Sequence, residues 1–308
     1  MKIHGAIALL ILLTGAGFAV LPQQSDDKKP LVRAQVDVVN VLCTVRDRNG
    51  KGNYIEGLKK EEFDIYEDGV RQNIQFFSYA KGEEADPLSV VLLIDVSGSV
   101  KDKLAFERKA SMEFLEGTLR KNKDLASVVE FHEEIRLMQD FTYDLDRLAA
   151  AIDDTRAGGG TKLYDALFLA ADELLRNEVG RRVAVVVSDG DDTLSEYPKK
   201  EAIRVAQEQD VVIYGIGVRS ARFDADFGAL KDFAKDTGGL FVNSESRLDR
   251  IREAFGHINQ AIKNQYSLGY ISTNKARDGA FRKVEIRAKR SGLNVTHRKG
   301  YYADRSKS

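Results

Sequence analysis

Five oxygen-bearing side chains stand at three glycine-marked places in this chain. They are Asp95, Ser97 and Ser99 in the run Asp-Val-Ser-Gly-Ser, Thr161 directly after Gly158, Gly159 and Gly160, and Asp189 between Ser188 and Gly190. Two carboxylates and three hydroxyls are hard donors with no nitrogen or sulfur among them, a set that suits Mg²⁺ or Mn²⁺ in octahedral oxygen coordination. The alternation of positions 95, 97 and 99 has a physical reason. In a tight loop leaving a strand every second side chain can point to one focus, and Gly98 relieves the turn. If Ser97, Ser99 and Thr161 ligate directly while one or both aspartates act through water, the ion keeps much of its charge and draws in an outside carboxylate.

The same residues have plainer readings. Asp95, Ser97 and Ser99 are ordinary N-cap residues for a helix beginning near Asp102. Gly158 to Gly160 could cradle a phosphate, but Thr161 and Lys162 come in the wrong order for a P-loop. Asp191 and Asp192 read as a solvated acidic loop rather than a second cation site. Cys43, between Leu42 and Val45, reads as a small buried residue. His132, His257 and His297 lie in separate segments without ligand spacing.

Elements able to bring 95, 161 and 189 together are visible in the hydropathy pattern. Continuous apolar runs at 90–94, 183–187 and 211–216 read as strands buried on both faces of a parallel sheet. Between them lie stripes stepping by three and four: Leu145, Leu148, Ala149 and Ile152, then Leu163, Ala166, Leu167, Ala170 and Leu174, and last Leu248, Ile251, Phe255, Ile258 and Ile262. This alternation predicts an α/β fold, a doubly wound, mostly parallel sheet with helices on both faces. Loops at the carboxyl ends of such strands converge on one crevice, and Asp95 and Asp189 sit just past two of the runs.

The flanks follow a different grammar. Residues 1–19, with Lys2, an apolar core and then Gly15, Gly17 and Ala19, are expected to be a secretory signal peptide, and 20–33 a polar tether. An uncleaved anchor is the other reading, since 5–22 carries no charge. Residues 34–86 alternate like strands, with turns at Asp47 to Gly50 and Glu67 to Gly69, and 264–303 return to that pattern with Tyr266, Leu268 and Tyr270. Neither flank alone has strands enough to bury a core, so the two are expected to form one small β-sandwich-like unit with 88–263 inserted between them. Composition narrows the partners. With 47 basic and 48 acidic side chains there is no excess charge to favour nucleic acid, and one cysteine and four histidines leave no zinc cage.

The five-residue set resembles the von Willebrand factor A (VWFA) domain, in which Asp-x-Ser-x-Ser, a distant Thr and a distant Asp form a metal-ion-dependent adhesion site, or MIDAS. Asp95, Ser97, Ser99, Thr161 and Asp189 fill all five positions, and the likeness covers about 88–263. The segments around Gly57, Leu58, Glu62 and Phe63, and the tail at Arg298, Lys299, Gly300, Tyr301 and Tyr302, look like those of exported bacterial VWFA-related proteins. The resemblance implies a metal completed by a Glu or Asp of a protein ligand, without turnover, and a last helix, here 248–262, able to shift when the site engages. The expected function is therefore a secreted or periplasmic protein-binding module for adhesion or assembly. A metal-assisted phosphatase or hydrolase is the alternative, since strand-end aspartates with Mg²⁺ also serve phosphoryl transfer. Against it stand the Ser at 97, where an Asp-x-Asp acid would be needed, and the lack of a nucleophile elbow around it.

Overall fold

Strands from before and after the central part pair with one another. The computed structural model describes residues 38–48, 53–81, 85–100, 103–219 and 226–303, all within one compact unit, Asp37–Ser308. The expected signal peptide and tether lie outside the described residues. Four strands come first: β1 (Val38–Asp47), β2 (Phe63–Glu67), β3 (Val70–Gln72) and β4 (Ile74–Tyr79). The central part runs β5 (Leu88–Asp95), α1 (Leu104–Thr118), β6 (Leu125–Phe131), β7 (Ile135–Thr142), α2 (Leu145–Asp153), α3 (Leu163–Leu169), β8 (Arg181–Ser188), α4 (Lys199–Glu208), β9 (Val211–Arg219), α5 (Gly228–Thr237), β10 (Phe241–Glu245) and α6 (Leu248–Lys263). The tail supplies β11 (Gln265–Ile271), β12 (Phe281–Ala288), β13 (Leu293–His297) and β14 (Gly300–Tyr302).

The central sheet has the order β10-β9-β8-β5-β6-β7 and is parallel except for β7, which runs antiparallel to β6. Its middle strand shows why the 90–94 run had to be apolar throughout. Val90, Leu92 and Ile94 face one core with Phe114, Leu148, Phe255 and Ile258, while Val91 and Leu93 face a second with Leu163, Leu167, Val205 and Phe233. Thus α1, α2 and α6 cover one face and α3, α4 and α5 the other. The expected doubly wound architecture is what the chain adopts. One stripe departs from it: the helix begun by α3 widens into a π-type turn at Ala170–Leu174 instead of continuing as α-helix.

Two four-stranded antiparallel sheets make up the flanking unit, in the orders β13-β1-β11-β4 and β14-β12-β2-β3. Each mixes strands from before and after the central part. Val38 to Thr44 pair with Ile271 to Gln265, and Val284 to Ala288 pair with Glu67 to Phe63. Alternation then sorts the side chains. Val39, Val41, Cys43 and Val45 point into a core shared with Ile65, Tyr266, Leu268, Tyr270 and Ile286, whereas Leu42, on the other face of β1, belongs to the core of the central domain.

Candidate metal site

The carboxyl end of β5 lies between β6 and β8, where the connections diverge to opposite sides, the position at which such sheets open a crevice. Asp95 closes β5 and is wholly buried. Its Oδ1 accepts a hydrogen bond from the Ser97 amide at 2.8 Å, and its Oδ2 accepts one from the Ser188 hydroxyl at 2.6 Å. Ser97 is buried, and a 3₁₀ turn at Gly98–Val100 follows it, with Ser99 at its middle. The side chain of Ser99 lies outside the described residues. These groups do not cap α1, whose N-cap is Lys103 without a side-chain cap.

Backbone bonds stitch the three loops to one another. Gly158 N donates to Val96 O at 2.7 Å and Gly98 N to Gly159 O at 3.1 Å, which joins the first loop to the second. Thr161 N donates to Thr193 Oγ1 at 2.9 Å, and Thr161 O accepts from the amides of Thr193 and Leu194, which joins the second to the third. The Ser188–Asp95 bond closes the ring. Gly190 completes it by its shape: its φ is +90°, and a Cβ there would come within 2.7 Å of Asp226 O.

Asp95, Ser97, Thr161 and Asp189 are all buried at this end of the sheet. Burial, with the charge of Asp189 added, pushes the Asp95 carboxyl up to about 6, although hydrogen bonds from Ser188 and Ser97 pull it the other way. Asp189 Oδ1 is buried with no hydrogen-bond partner. An orphaned carboxylate oxygen beside a second buried carboxylate is the setting a cation would satisfy, and an all-oxygen donor set fits a small divalent one. Among the described residues no three of His, Cys, Asp and Glu are grouped to hold an ion, so the candidate donors are two aspartates with hydroxyls.

Other residues fall where their chemistry puts them. Asp191 is exposed, but Asp192 is not simply solvated: its Oδ1 accepts from Ser195 Oγ at 2.6 Å and from Tyr164 N at 3.2 Å, tying the third loop to α3. Cys43 is buried and its thiol is pushed up by burial. His132 Nδ1 accepts from Glu134 N, and His257 is exposed on α6. Two contributors escaped the sequence reading. The Ser188 hydroxyl holds Asp95 although nothing in its position announces a partner 93 residues away, and Thr193 bridges loops from within an acidic run.

Comparison with known proteins follows the same lines. An uncharacterized protein of Borreliella burgdorferi is 26% identical over 181 residues, covering 50% of this chain, and the chain spans about half, 53%, of that protein's length. Proximal thread matrix protein 1 from the mussel byssus, solved with a zinc-occupied MIDAS motif, is 16% identical with a TM-score of 0.52, over 62% of this chain and 49% of that one. The conserved hypothetical protein BatB from Bacteroides thetaiotaomicron is 18% identical with a TM-score of 0.48, over 57% of this chain and all of that one. Residues 89–255 match the von Willebrand factor type A domain, and the chain belongs to that family.

Proposed function

We propose that this protein is a metal-dependent protein-binding module. It holds Mg²⁺, or Mn²⁺, at Asp95, Ser97, Ser99, Thr161 and Asp189, and captures a partner through a Glu or Asp carboxylate. The observation that carries the reading is the unpartnered, buried Oδ1 of Asp189, in a loop bonded to those of Asp95 and Thr161. The family commonly mediates metal-dependent protein interactions, and the mussel protein's MIDAS holds zinc. Hydroxyls neutralise none of the ion's charge, so a cation held directly by Ser97, Ser99 and Thr161, with one or both aspartates acting through water, still attracts an external carboxylate. The chain's own residues do the rest: they orient the donors, and Ser188 fixes the Asp95 carboxylate so that it does not have to reorganise.

Location follows the same reading. Residues 1–19 act as an export signal, which places the module in the periplasm or outside the cell; among the described residues no helix is long and apolar enough to cross a membrane. The test is ion content and partner capture together. Purified protein is expected to bind about one Mg²⁺ or Mn²⁺ per chain, and Asp189→Ala and Ser97→Ala each to lose the ion and chelator-sensitive capture of envelope proteins. Ion content equal to that of the unaltered protein in both variants defeats the assignment.

A further inference from the structure

The glycine run before Thr161 leaves room for two side chains that the five-residue set does not use. A Cβ at Gly160 would come within 2.7 Å of Leu194 Cδ1, and one at Gly159, whose φ is +70°, within 2.8 Å of Glu133 Cδ. Both residues are exposed, Leu194 with 46% of its surface open. Backbone bonds fix each of them beside the candidate metal ligands. Leu194 N donates to Thr161 O at 3.0 Å, and the turn that carries Glu133 is held by Val96 N on Phe131 O at 3.0 Å and by Lys162 N on His132 O at 3.0 Å. Leu194 follows β8 and Glu133 follows β6, the strands on either side of β5, so the two reach the second loop from opposite flanks of the strand that ends at Asp95.

Their chemistry decides what they can touch. Leu194 is the apolar side chain of a loop that is otherwise polar from Asp191 to Glu196, and its backbone is already fixed, so packing a partner on it orders little that was free before. Glu196 of the same loop is paired with Lys162 at 3.5 Å. Glu133 pairs with no basic side chain among the described residues, which leaves its charge open to a partner. Reach sets the spacing. β8 and β6 lie two strand spacings apart, about 9–10 Å, and an extended segment advances about 3.3 Å per residue. A carboxylate bound over the end of β5 therefore brings residues one or two positions before and after it against Leu194 and Glu133.

We propose that Leu194 and Glu133 set partner specificity: the captured segment carries an apolar side chain on one side of its metal-bound Glu or Asp, packed on Leu194, and a Lys or Arg on the other, paired with Glu133. The inference rests on the metal reading above and deepens it, because an ion that accepts any carboxylate does not by itself tell one acidic segment from another. The rim does so by rejection as well as by attraction. In a run of acids the flanking carboxylates would meet the charge of Glu133 on one side and set a charged group against Leu194 on the other.

The test is selection of random phage-displayed heptapeptides on the purified protein loaded with Mg²⁺, eluted with EDTA, and the same selection on Leu194→Ser, Glu133→Lys and Asp189→Ala. The unaltered chain is expected to enrich a Glu or Asp with an apolar residue within two positions on one side and Lys or Arg within two on the other. Leu194→Ser should lose the apolar preference and keep the basic one; Glu133→Lys should exchange the basic preference for an acidic one and keep the apolar. Neither residue ligates the ion, so both variants are expected to keep Mg²⁺ binding by calorimetry. With the best peptide made synthetically, Leu194→Ala should raise Kd about three- to tenfold, the effect of covering about half a leucine side chain. Glu133→Gln should raise it about two- to fivefold, an effect that shrinks at about 0.5 M salt while that of Leu194→Ala does not. Carboxylates enriched without flanking preference, or a preference that survives in either variant meant to remove it, overturn the inference. If Asp189→Ala enriches the same peptides, or EDTA releases none, the metal reading itself has failed and the inference with it. If Asp189→Ala enriches none and the flanking preference ignores Leu194 and Glu133, only the rim assignment has.

Discussion

Removing the charge of Asp95 separates what the site costs the fold from what it gives the ion. The carboxyl is wholly buried and is held at about 6, against an ordinary 3.8, first by burial and then by Asp189. Ionising a carboxyl that titrates at about 6 instead of 3.8 costs the metal-free fold about 3 kcal/mol. Asn at this position keeps an acceptor for the Ser97 amide and turns a donor toward Ser188 Oγ, at the loss of one hydroxyl bond. Metal-free Asp95→Asn is therefore expected to be more stable than the unaltered protein at pH 7.5 by about 1–3 kcal/mol, or a few degrees in Tm. With Mg²⁺ at about a thousand times its Kd the order reverses, because the unaltered protein gains about 4.1 kcal/mol and the variant gains nothing.

The dependence on pH has a definite sign. A carboxyl whose folded pKa is raised burdens the fold most where it is ionised in both states, above about 6. The burden shrinks as pH falls and is gone below 3.8, where both states are protonated. The stability gap between Asp95→Asn and the unaltered protein, both free of metal, should thus be full at pH 7.5 and close toward pH 4. Differential scanning fluorimetry with and without EDTA, repeated across pH, reads both effects. A metal-free Asn variant less stable than the parent at pH 7.5, or a gap that does not close on acidification, would refute the reasoning.

Two further outcomes are expected away from the site. Arg298 is buried and donates to Gln207 O at 2.9 Å and Asn40 O at 2.8 Å while pairing with Asp210, so it clamps β1 to the end of α4. Arg298→Ala should cost about 2–4 kcal/mol in urea unfolding and leave Mg²⁺ affinity unchanged, since the clamp lies at the amino end of β9, away from the loops of the proposed ion site. His297 accepts from Ile286 N at Nε2 and donates from Nδ1 to Arg298 O, the pattern of a neutral ring, and burial lowers its pKa from the ordinary 6.5. A depressed histidine supports the fold fully above 6.5 and loses that support as pH falls through its folded value, so Tm of the unaltered protein should drop more steeply below pH 6.5 than that of His297→Gln.

The central fold was legible wherever burial left an unbroken signature. The runs at 90–94, 183–187 and 211–216 could be read as strands because both faces of β5, β8 and β9 meet apolar cores and no polar residue interrupts them. The next strand over, β6, was not. Ser127 and Glu130 break its run, yet both are buried because each has a partner: Ser127 donates to Gln139 O, and Glu130 accepts from Arg156 N. Its neighbour β7 lies at the sheet edge with Leu137 exposed, and α4 offers only a thin stripe, Ala202, Val205 and Ala206, among charged residues. Such elements are fixed by tertiary partners, which a linear pattern does not carry. The flanks show the same limit. Alternation marked β1 and β11 as strands, but that they pair with each other across more than two hundred residues follows from the shared core of Val41, Cys43, Tyr266 and Leu268 and not from either segment alone.

The same split between local and distant causes applies to the site. Asp95, Ser97, Thr161 and Asp189 could be picked out because glycines and strand ends mark their loops. Ser188 could not, since its part depends on which elements pack together. Position in the fold adds a mechanical constraint that motif spacing hides. Only Asn264 separates α6 from β11, an inner strand bonded to β1 on one side and β4 on the other. Arg181 donates to Ile262 O and to Gln265 Oε1, and Gln265 donates to the buried Tyr214 hydroxyl. A helix displaced by a full turn moves about 5.4 Å, more than the rise of one strand residue, and a slip of one residue would turn every inward side chain of β11 outward. Tyr266, Leu268 and Tyr270 fill the sandwich core, so the strand resists that slip. Any travel of α6 must therefore be taken up within the helix or at Asn264, and the sandwich acts as a fixed anchor for the last helix of the central domain.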